Sequence, residues 1–586
     1  MGTIKEFFAT IKRVLSAEQN EIISVAGILI LISIVTKVLG MFFLTLVAKE
    51  FGTSIETDLF YLASVLPETI TNIILLGVIS SSVIPIFIHI KERNGDREFF
   101  KSFDSTINAS MLLFGLLALL AAIFSRQLIP LAIQVAGKNQ LLGEGQLNEV
   151  VWMMRLLLIP QIILGVSAFF STWLNIYQRF LVPQLAPLFF NIGKILGILI
   201  LVPLMHGSIW GLVWGTLIGS LFHLLIQIPL LKHLKFSFKL FIIDLKDRNF
   251  LRVLRLGLPR VFSLSIEQIA VVVDSVIALG LSVGSLTAYQ MAVRLISLPM
   301  GLFGANYATA SYPSFARLHS KNDTAGFSKL FNSIVQQIVF LSVPVSVIFI
   351  IMRVPIVRLV YGIFGGNFTW EATLLVAWIV LFFSLGLVFE GLRTAIFKVY
   401  FAVHNSIIPL LGSMFVVVVG ISSGILFSNY FSHFNSITPS DFIFNWQYFV
   451  TKGDGIAGAA GLALSSSITF SLEFVLLTII LFRKKIVTNF RIFFVGLIKK
   501  FIAALIMAIV CYLMSKLWEE VLNTTRTFQL IFLSTSTIIS SFMVYIWSCY
   551  FLRIEEVDYF INLVSRNFSG LINRIFKRGK KNQVLS

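Results

Sequence analysis

The chain has 586 residues, of which 57% belong to the set AVILMFWYC and 13% are charged, with a mean hydropathy of +0.91. A water-soluble globule would carry about twice that charged share, so the composition is that of a polytopic membrane protein and excludes large soluble catalytic domains. The formal net charge of +18 is split among short segments between apolar runs rather than gathered in one patch, which points to an anionic lipid surface and not to nucleic acid.

In chain order, residues 1–20 show no cleavable signal pattern; Phe7, Phe8, Ile11 and Leu15 recur at helical spacing beside Lys5, Lys12 and Arg13, as in an interfacial helix. Apolar runs of spanning length then fall at 22–48, 58–90, 104–133, 148–175, 183–205, 207–231, 252–281, 285–314, 329–352, 372–402, 405–429, 455–482, 492–516 and 527–551, which predicts fourteen transmembrane helices. The gaps alternate in charge. With both termini, about 32 cations fall on one side and about 8 on the other, and the positive-inside rule assigns the rich side, with both termini, to the cytoplasm. The tail 553–586 alternates apolar residues with Arg566, Arg574, Lys577, Arg578, Lys580 and Lys581 and suits the inner leaflet. Cys511 and Cys549 lie inside apolar runs and read as inert core residues.

A repeat underlies the order of spans. The fifth follows Tyr177-Gln-Arg-Phe-Leu-Val-Pro-Gln-Leu-Ala-Pro187 and the eleventh Tyr400-Phe-Ala-Val-His-Asn-Ser-Ile-Ile-Pro409. Each is followed by a Gly-rich span, Trp210-Gly-Leu-Val-Trp-Gly215 and Gly455-Ile-Ala-Gly-Ala-Ala-Gly461, and the second and eighth share a Tyr and a Pro at equal separation (Tyr61 and Pro85, Tyr289 and Pro313). Six spans between equivalents give parallel repeats, the plan of an alternating-access transporter; a purely structural duplication is the bland alternative. The expected organisation is an amphipathic segment over 1–20, six-helix lobes over 21–232 and 252–483 joined by a basic linker over 233–251, two further helices over 484–552, and a basic tail over 553–586. The fold class is thus an all-α polytopic membrane protein.

A charge at the bilayer centre costs roughly 2.5–3.5 kcal/mol or more, so each requires water or a partner. Arg155, Lys194, Lys398 and Glu473 read as groups near span ends, where snorkelling removes the cost. Arg260, Glu267 and Asp274 are spaced by seven residues and form one helical stripe that cannot face lipid. Arg294, flanked by apolar residues, needs either a carboxylate such as Asp274 or Glu267, or a polyanionic ligand; a guanidinium matches phosphate oxygens bidentately. Both readings stand on residue types alone. Lys37 is a further intramembrane cation. No P-loop, nucleophile elbow or zinc motif is present, and the seven histidines are scattered. Neither cofactor nor metal is therefore expected, and transport would draw on the membrane potential, an ion such as a monovalent cation, or consumption of the product.

Two blocks carry a family resemblance. Lys37-Val-Leu-Gly40, Ala48-Lys-Glu-Phe-Gly52, Thr57-Asp58, Phe60, Leu66-Pro67, Gly77, Ser80 and Pro85 form the first; Leu258-Pro-Arg260, Gln268, Gly284-Ser285, Arg294-Leu295, Leu298-Pro-Met-Gly301, Phe303-Gly304 and Pro313-Ser314 form the second, and Tyr400-Phe-Ala402 with Pro409 adds a third match. In these the chain resembles the MurJ (MviN) family of lipid II flippases, within the multidrug/oligosaccharidyl-lipid/polysaccharide exporter superfamily. The resemblance implies fourteen spans, the last two forming a groove for a lipid tail, and a bacterial cytoplasmic-membrane protein moving a lipid-linked peptidoglycan precursor to the outer leaflet. Arg294 would stand at an essential cavity arginine, Arg260 at an arginine after the seventh-span proline, Lys37 where the family has an arginine, and Asp58 at a family aspartate. Departures are Phe43, Thr71 and Asn72 at positions often held by arginine, Glu68 for an asparagine and Leu76 for a glutamate.

The reading is a flippase whose head-group site comprises Arg294, Arg260, Lys37, Asp58 and Glu68, with Asp274 and Glu267 balancing charge or binding a coupling ion. Its expected partners are a lipid-linked glycan pyrophosphate, anionic lipids and a cell-wall synthesis complex. Alternatives are a flippase for another undecaprenyl-linked polysaccharide, a cation-coupled drug exporter, a membrane glycosyltransferase or ligase, and an inactive scaffold. The longest external loop, Asn429 to Asp454, offers an enzyme only Asp441, Asp454 and His433.

Overall fold

A computed structural model describes residues 22–78, 83–135, 142–234, 236, 238–239, 243–244, 247–301, 304, 306–432, 458–487 and 490–558. The described secondary structure is helical, without strands. Eleven of these helices are long and apolar enough to cross a membrane, and they correspond to the first, the third to sixth and the ninth to fourteenth expected spans. The remaining three are Ile55–Val78, Arg248–Leu279 and Ser285–Met300. They carry Asp58 and Glu68, then Arg260, Glu267 and Asp274, then Arg294, and charged positions in a spanning helix belong against protein or water. The N-terminal segment 1–20, the loop 433–457 and the tail from 559 lie outside the described residues.

Helix bounds differ from the expected spans in two places. The second apolar run contains helix Ile55–Val78 and the start of a helix described from Val83, which continues to Ile123 across an elbow at Gly95, where φ is 81°; glycine takes that conformation without steric penalty. The eighth run contains the α-helices Ser285–Met300 and Asn306–Ser320, and the described residues between them, Gly301 and Gly304, are π-helical.

Packing groups the chain into two compact units, 1–294 with 360–379 and 409–465, and 295–359 with 380–408 and 466–586. Within the first unit an aromatic cluster of Phe87, Phe99, Phe103 and Trp173 fills one core. Elsewhere in it, helix Leu181–Leu196 and the π-turn Gly197–Leu201 lie against helix Trp210–Leu225 with direct backbone contact at paired glycines. A Cβ on Gly193 would fall 2.3 Å from Cα of Gly219, and one on Gly215 would fall 2.7 Å from Cα of Gly197. This explains the glycines of the Trp210–Gly215 motif: small residues let backbones approach in lipid, where no hydrophobic drive exists between helices. Gly215→Leu should separate the pair at a cost of about 3 kcal/mol, read as a lowered unfolding temperature and aggregation in size-exclusion chromatography.

The second unit has a core containing Phe331, Phe340, Tyr400, Leu481 and Tyr545. The Tyr400 hydroxyl donates to the carbonyl of Leu477 at 2.8 Å and that of Tyr545 to Phe340 at 3.0 Å. The tyrosine of the Tyr400-Phe-Ala402 motif is thus a fully buried tie to helix Gly458–Arg483. Helix Phe490–Val521 is fastened to helix Thr324–Ile351 by Lys500, 2% exposed, whose Nζ donates to Oε1 of Gln336 at 2.5 Å and lies 3.2 Å from Oε2 of Glu556. Gln336 in turn donates to the carbonyl of Phe493 at 2.9 Å. Breaking a buried ion pair strands the surviving charge, so Lys500→Met should destabilise by about 3–5 kcal/mol, and the double variant with Glu556→Gln should recover part of that loss in thermal unfolding. Glu473, expected near a span end, is instead 1% exposed, with Oε2 3.4 Å from Arg393, whose guanidinium also faces the rings of Phe470 and Phe397.

Candidate functional site

The site is assembled within the first unit. Arg294 lies on helix Ser285–Met300, and its guanidinium is 5.4 Å from the ring centroid of Tyr61. The register of that helix is fixed one turn earlier, where the hydroxyl of the fully buried Tyr361 donates to the carbonyl of Met291 at 2.8 Å. Glu68 follows Tyr61 by seven residues on helix Ile55–Val78, hence on the same face. It is exposed, and its carboxylate acts electrostatically on Arg294. An exposed carboxylate near the middle of a spanning segment requires water at that depth.

Lys194 completes the cluster. Its helix is tied to Ile22–Phe51 by Asn191, which donates to the carbonyl of Thr36 at 3.0 Å, and by Gln184, which donates to Oγ of Ser33 at 2.6 Å. The Lys194 ammonium lies 4.0 Å from the Phe43 centroid and 5.2 Å from that of Phe190, within electrostatic reach of both Arg294 and Glu68. The reading of Lys194 as a snorkelling group is therefore corrected: it faces aromatic rings and a second cation. Two cations with one carboxylate leave an excess positive charge, and a guanidinium beside an ammonium, each over an aromatic face, can grip a diphosphate.

The other expected site residues are placed differently. Asp58, 1% exposed, accepts from the Gly284 N–H at 2.6 Å through Oδ2 and from the Thr287 N–H and hydroxyl at 2.7 and 2.6 Å through Oδ1. Both its oxygens are thus committed to the start of the helix that carries Arg294, where a carboxylate also complements the helix dipole. At the same end of the unit, the Asn367 N–H donates to the carbonyl of Lys49 at 2.8 Å and Thr45 donates to that of Val360 at 2.6 Å. Gly52, at φ 61°, fits there because a Cβ would fall 2.2 Å from the carbonyl oxygen of Asn367. Glu267 accepts from Ser413 at 3.1 Å, and Asp274 from the Tyr289 hydroxyl at 3.3 Å. Lys37 is half-buried on helix Ile22–Phe51. Arg260 lies in helix Arg248–Leu279, its side chain outside the described residues. Of the expected set, Arg294 and Glu68 are brought together, with Asp58 holding the helix of the first. No group of three or more His, Cys, Asp or Glu able to hold a metal occurs among the described residues.

This architecture is shared by solved multidrug exporters: an inward-facing MATE family transporter of the MOP superfamily superposes with a TM-score of 0.58 at 14% identity, covering 77% of this chain and 94% of its own, which establishes the fold. A solved lipid II flippase MurJ in an inward closed conformation matches at a TM-score of 0.67 and 25% identity, covering 89% of this chain and 99% of that one. The family model described as lipid II flippase MurJ matches residues 47–439, and the chain belongs to that family. Among curated relatives, the probable lipid II flippase MurJ of Buchnera aphidicola subsp. Acyrthosiphon pisum is 25% identical over 498 residues, 83% of this chain and 90% of the relative. The lipid II flippase MurJ of Burkholderia cenocepacia is 25% identical over 366 residues, 61% and 68% respectively.

Proposed function

We propose that the protein carries lipid II from the inner to the outer leaflet of the bacterial cytoplasmic membrane by alternating access, without covalent chemistry. The observation that carries this reading is the convergence of Lys194 and Arg294 beside Glu68. Lys194 stands over the ring of Phe43, a position where the resemblance leads one to expect arginine, so the cation absent from one helix is supplied by another. The pyrophosphate would lie between the ammonium and the guanidinium, and the acyl chain would remain in lipid beside the last two helices.

With the cation-rich side cytoplasmic, the end locked by Asp58, Gly284 and Asn367 is the outer one, and the head group enters from inside. Asp58 then acts as a positioning residue. Glu267 and Asp274, each facing a neutral hydroxyl, balance charge or take a monovalent coupling cation, and the two six-helix lobes provide the rocking bodies.

The test is native mass spectrometry of the purified protein with lipid II and other lipid-linked saccharides. Each charge-assisted bond is worth about 1.5–3 kcal/mol, so Lys194→Ala should weaken lipid II binding roughly tenfold to a hundredfold, with Lys194→Arg retaining most of it. Equal retention of lipid II by parent and Lys194→Ala would remove Lys194 from the site. A parent preparation that moves no lipid II in proteoliposomes would defeat the reading.

A further inference from the structure

The first unit holds a cavity of about 450 Å³ at the end locked by Asp58, walled by Phe51 and Leu375 and rimmed by Thr53, Ser54, Asn367 and Glu371. Its volume lies in the range of small-molecule sites, about 300–1,000 Å³. We propose that this cavity is a saccharide-binding site, separate from the Lys194–Arg294 cluster, which receives the sugar portion of the translocated head group on the outer face.

Three features select this ligand class. First, the only charged lining residue is Glu371, so a pyrophosphate would meet a carboxylate with no cation to offset it. Second, the walls pair an aromatic and an aliphatic side chain with hydroxyl, amide and carboxylate groups. A pyranose has the complementary character, an apolar C–H face and a rim of hydroxyls, and an organic cation would have no use for the hydroxyls and amide. Third, the lining is divided between groups that build the site and groups left to bind. Asn367 is anchored by bonds from its N–H to Lys49 at 2.8 Å and from Nδ2 to the Glu50 carbonyl at 2.5 Å, and Ser54 pairs with Thr57 at 3.3 Å. The Thr53 hydroxyl and the Glu371 carboxylate have no hydrogen bond or ion pair among the described residues and are available to a ligand.

The three corners that meet here are fixed by backbone contacts. Gly284, at φ 85°, would place a Cβ 2.3 Å from the carbonyl oxygen of Thr53, and Gly366, at φ 79°, would place one 2.3 Å from that of Lys49. A preformed site loses little ordering entropy when it fills.

The source of the sugar rests on the function proposed above; binding of a free sugar does not, so the two can fail separately. The experiment is saturation-transfer NMR on the full chain in nanodiscs, with N,N′-diacetylchitobiose as probe and inorganic pyrophosphate and tetramethylammonium as competitors. The expected result is saturable transfer in the millimolar range, undisturbed by either competitor and at least roughly tenfold weaker in Val283→Trp. Val283 lines the cavity and is 67% exposed, so the indole fills the site without entering the core, and an unchanged unfolding temperature confirms the fold. Glu371→Gln should weaken binding by a smaller factor. Absence of saturable transfer, equal transfer in parent and Val283→Trp, or displacement by pyrophosphate or tetramethylammonium would each overturn the assignment, whatever the outcome of lipid II transport.

Discussion

Arg294→Ala should abolish transport of lipid II in proteoliposomes and fail to complement a flippase-depleted strain, while the protein still accumulates in the membrane. The guanidinium faces the Tyr61 ring and the Glu68 carboxylate, and the helix register is held by the Tyr361–Met291 bond, which the substitution leaves in place. Removing it deletes up to two charge-assisted bonds to phosphate, each about 1.5–3 kcal/mol, a loss of roughly a hundredfold or more in affinity. Arg294→Lys keeps the charge and loses the planar fork, so intermediate activity is expected. Full activity in Arg294→Ala would show that the cluster does not touch the substrate.

Asp58→Ala should have the largest effect on stability. It leaves the Gly284 and Thr287 N–H groups and the Thr287 hydroxyl buried without an acceptor, and each stranded group costs about 1–3 kcal/mol. The expected outcome is a marked drop in unfolding temperature, together with faster hydrogen exchange at the start of helix Ser285–Met300. Asp58→Asn can accept only through its single carbonyl oxygen and should fall between the two. A protein as stable as the parent with alanine here would mean that water replaces the carboxylate without cost.

The apolar runs made eleven spans directly readable, because a 20-residue stretch without charge has few other structures available to it. The other three are legible as apolar runs by the same rule, and the charges within them mark faces that lipid would reject. Partners were less legible. Asp58 binds backbone N–H groups, which leave no mark in a sequence, so its resemblance to a site aspartate concealed a structural clamp. Lys194 was misread because a lone lysine some residues from a helix end resembles a snorkelling one. The signal that could have corrected it lies beside it: Gly193 and Gly197 are spaced for close helix packing, which makes that part of the helix a protein interface rather than a lipid one. Glu473 and Arg393, eighty residues apart in the chain, are recognisable as partners only in space.

The glycine contact between helices Leu181–Leu196 and Trp210–Leu225 bears on motion. Two backbones that touch directly at Gly193, Gly197, Gly215 and Gly219 have few interdigitated rotamers to reshuffle there, so the two rods are expected to travel as a single girder. Lys194 is riveted to that girder, whereas Arg294 rides on a different helix. In the transport cycle proposed above, the separation of these two cations would be the distance that changes as the helices carrying them move.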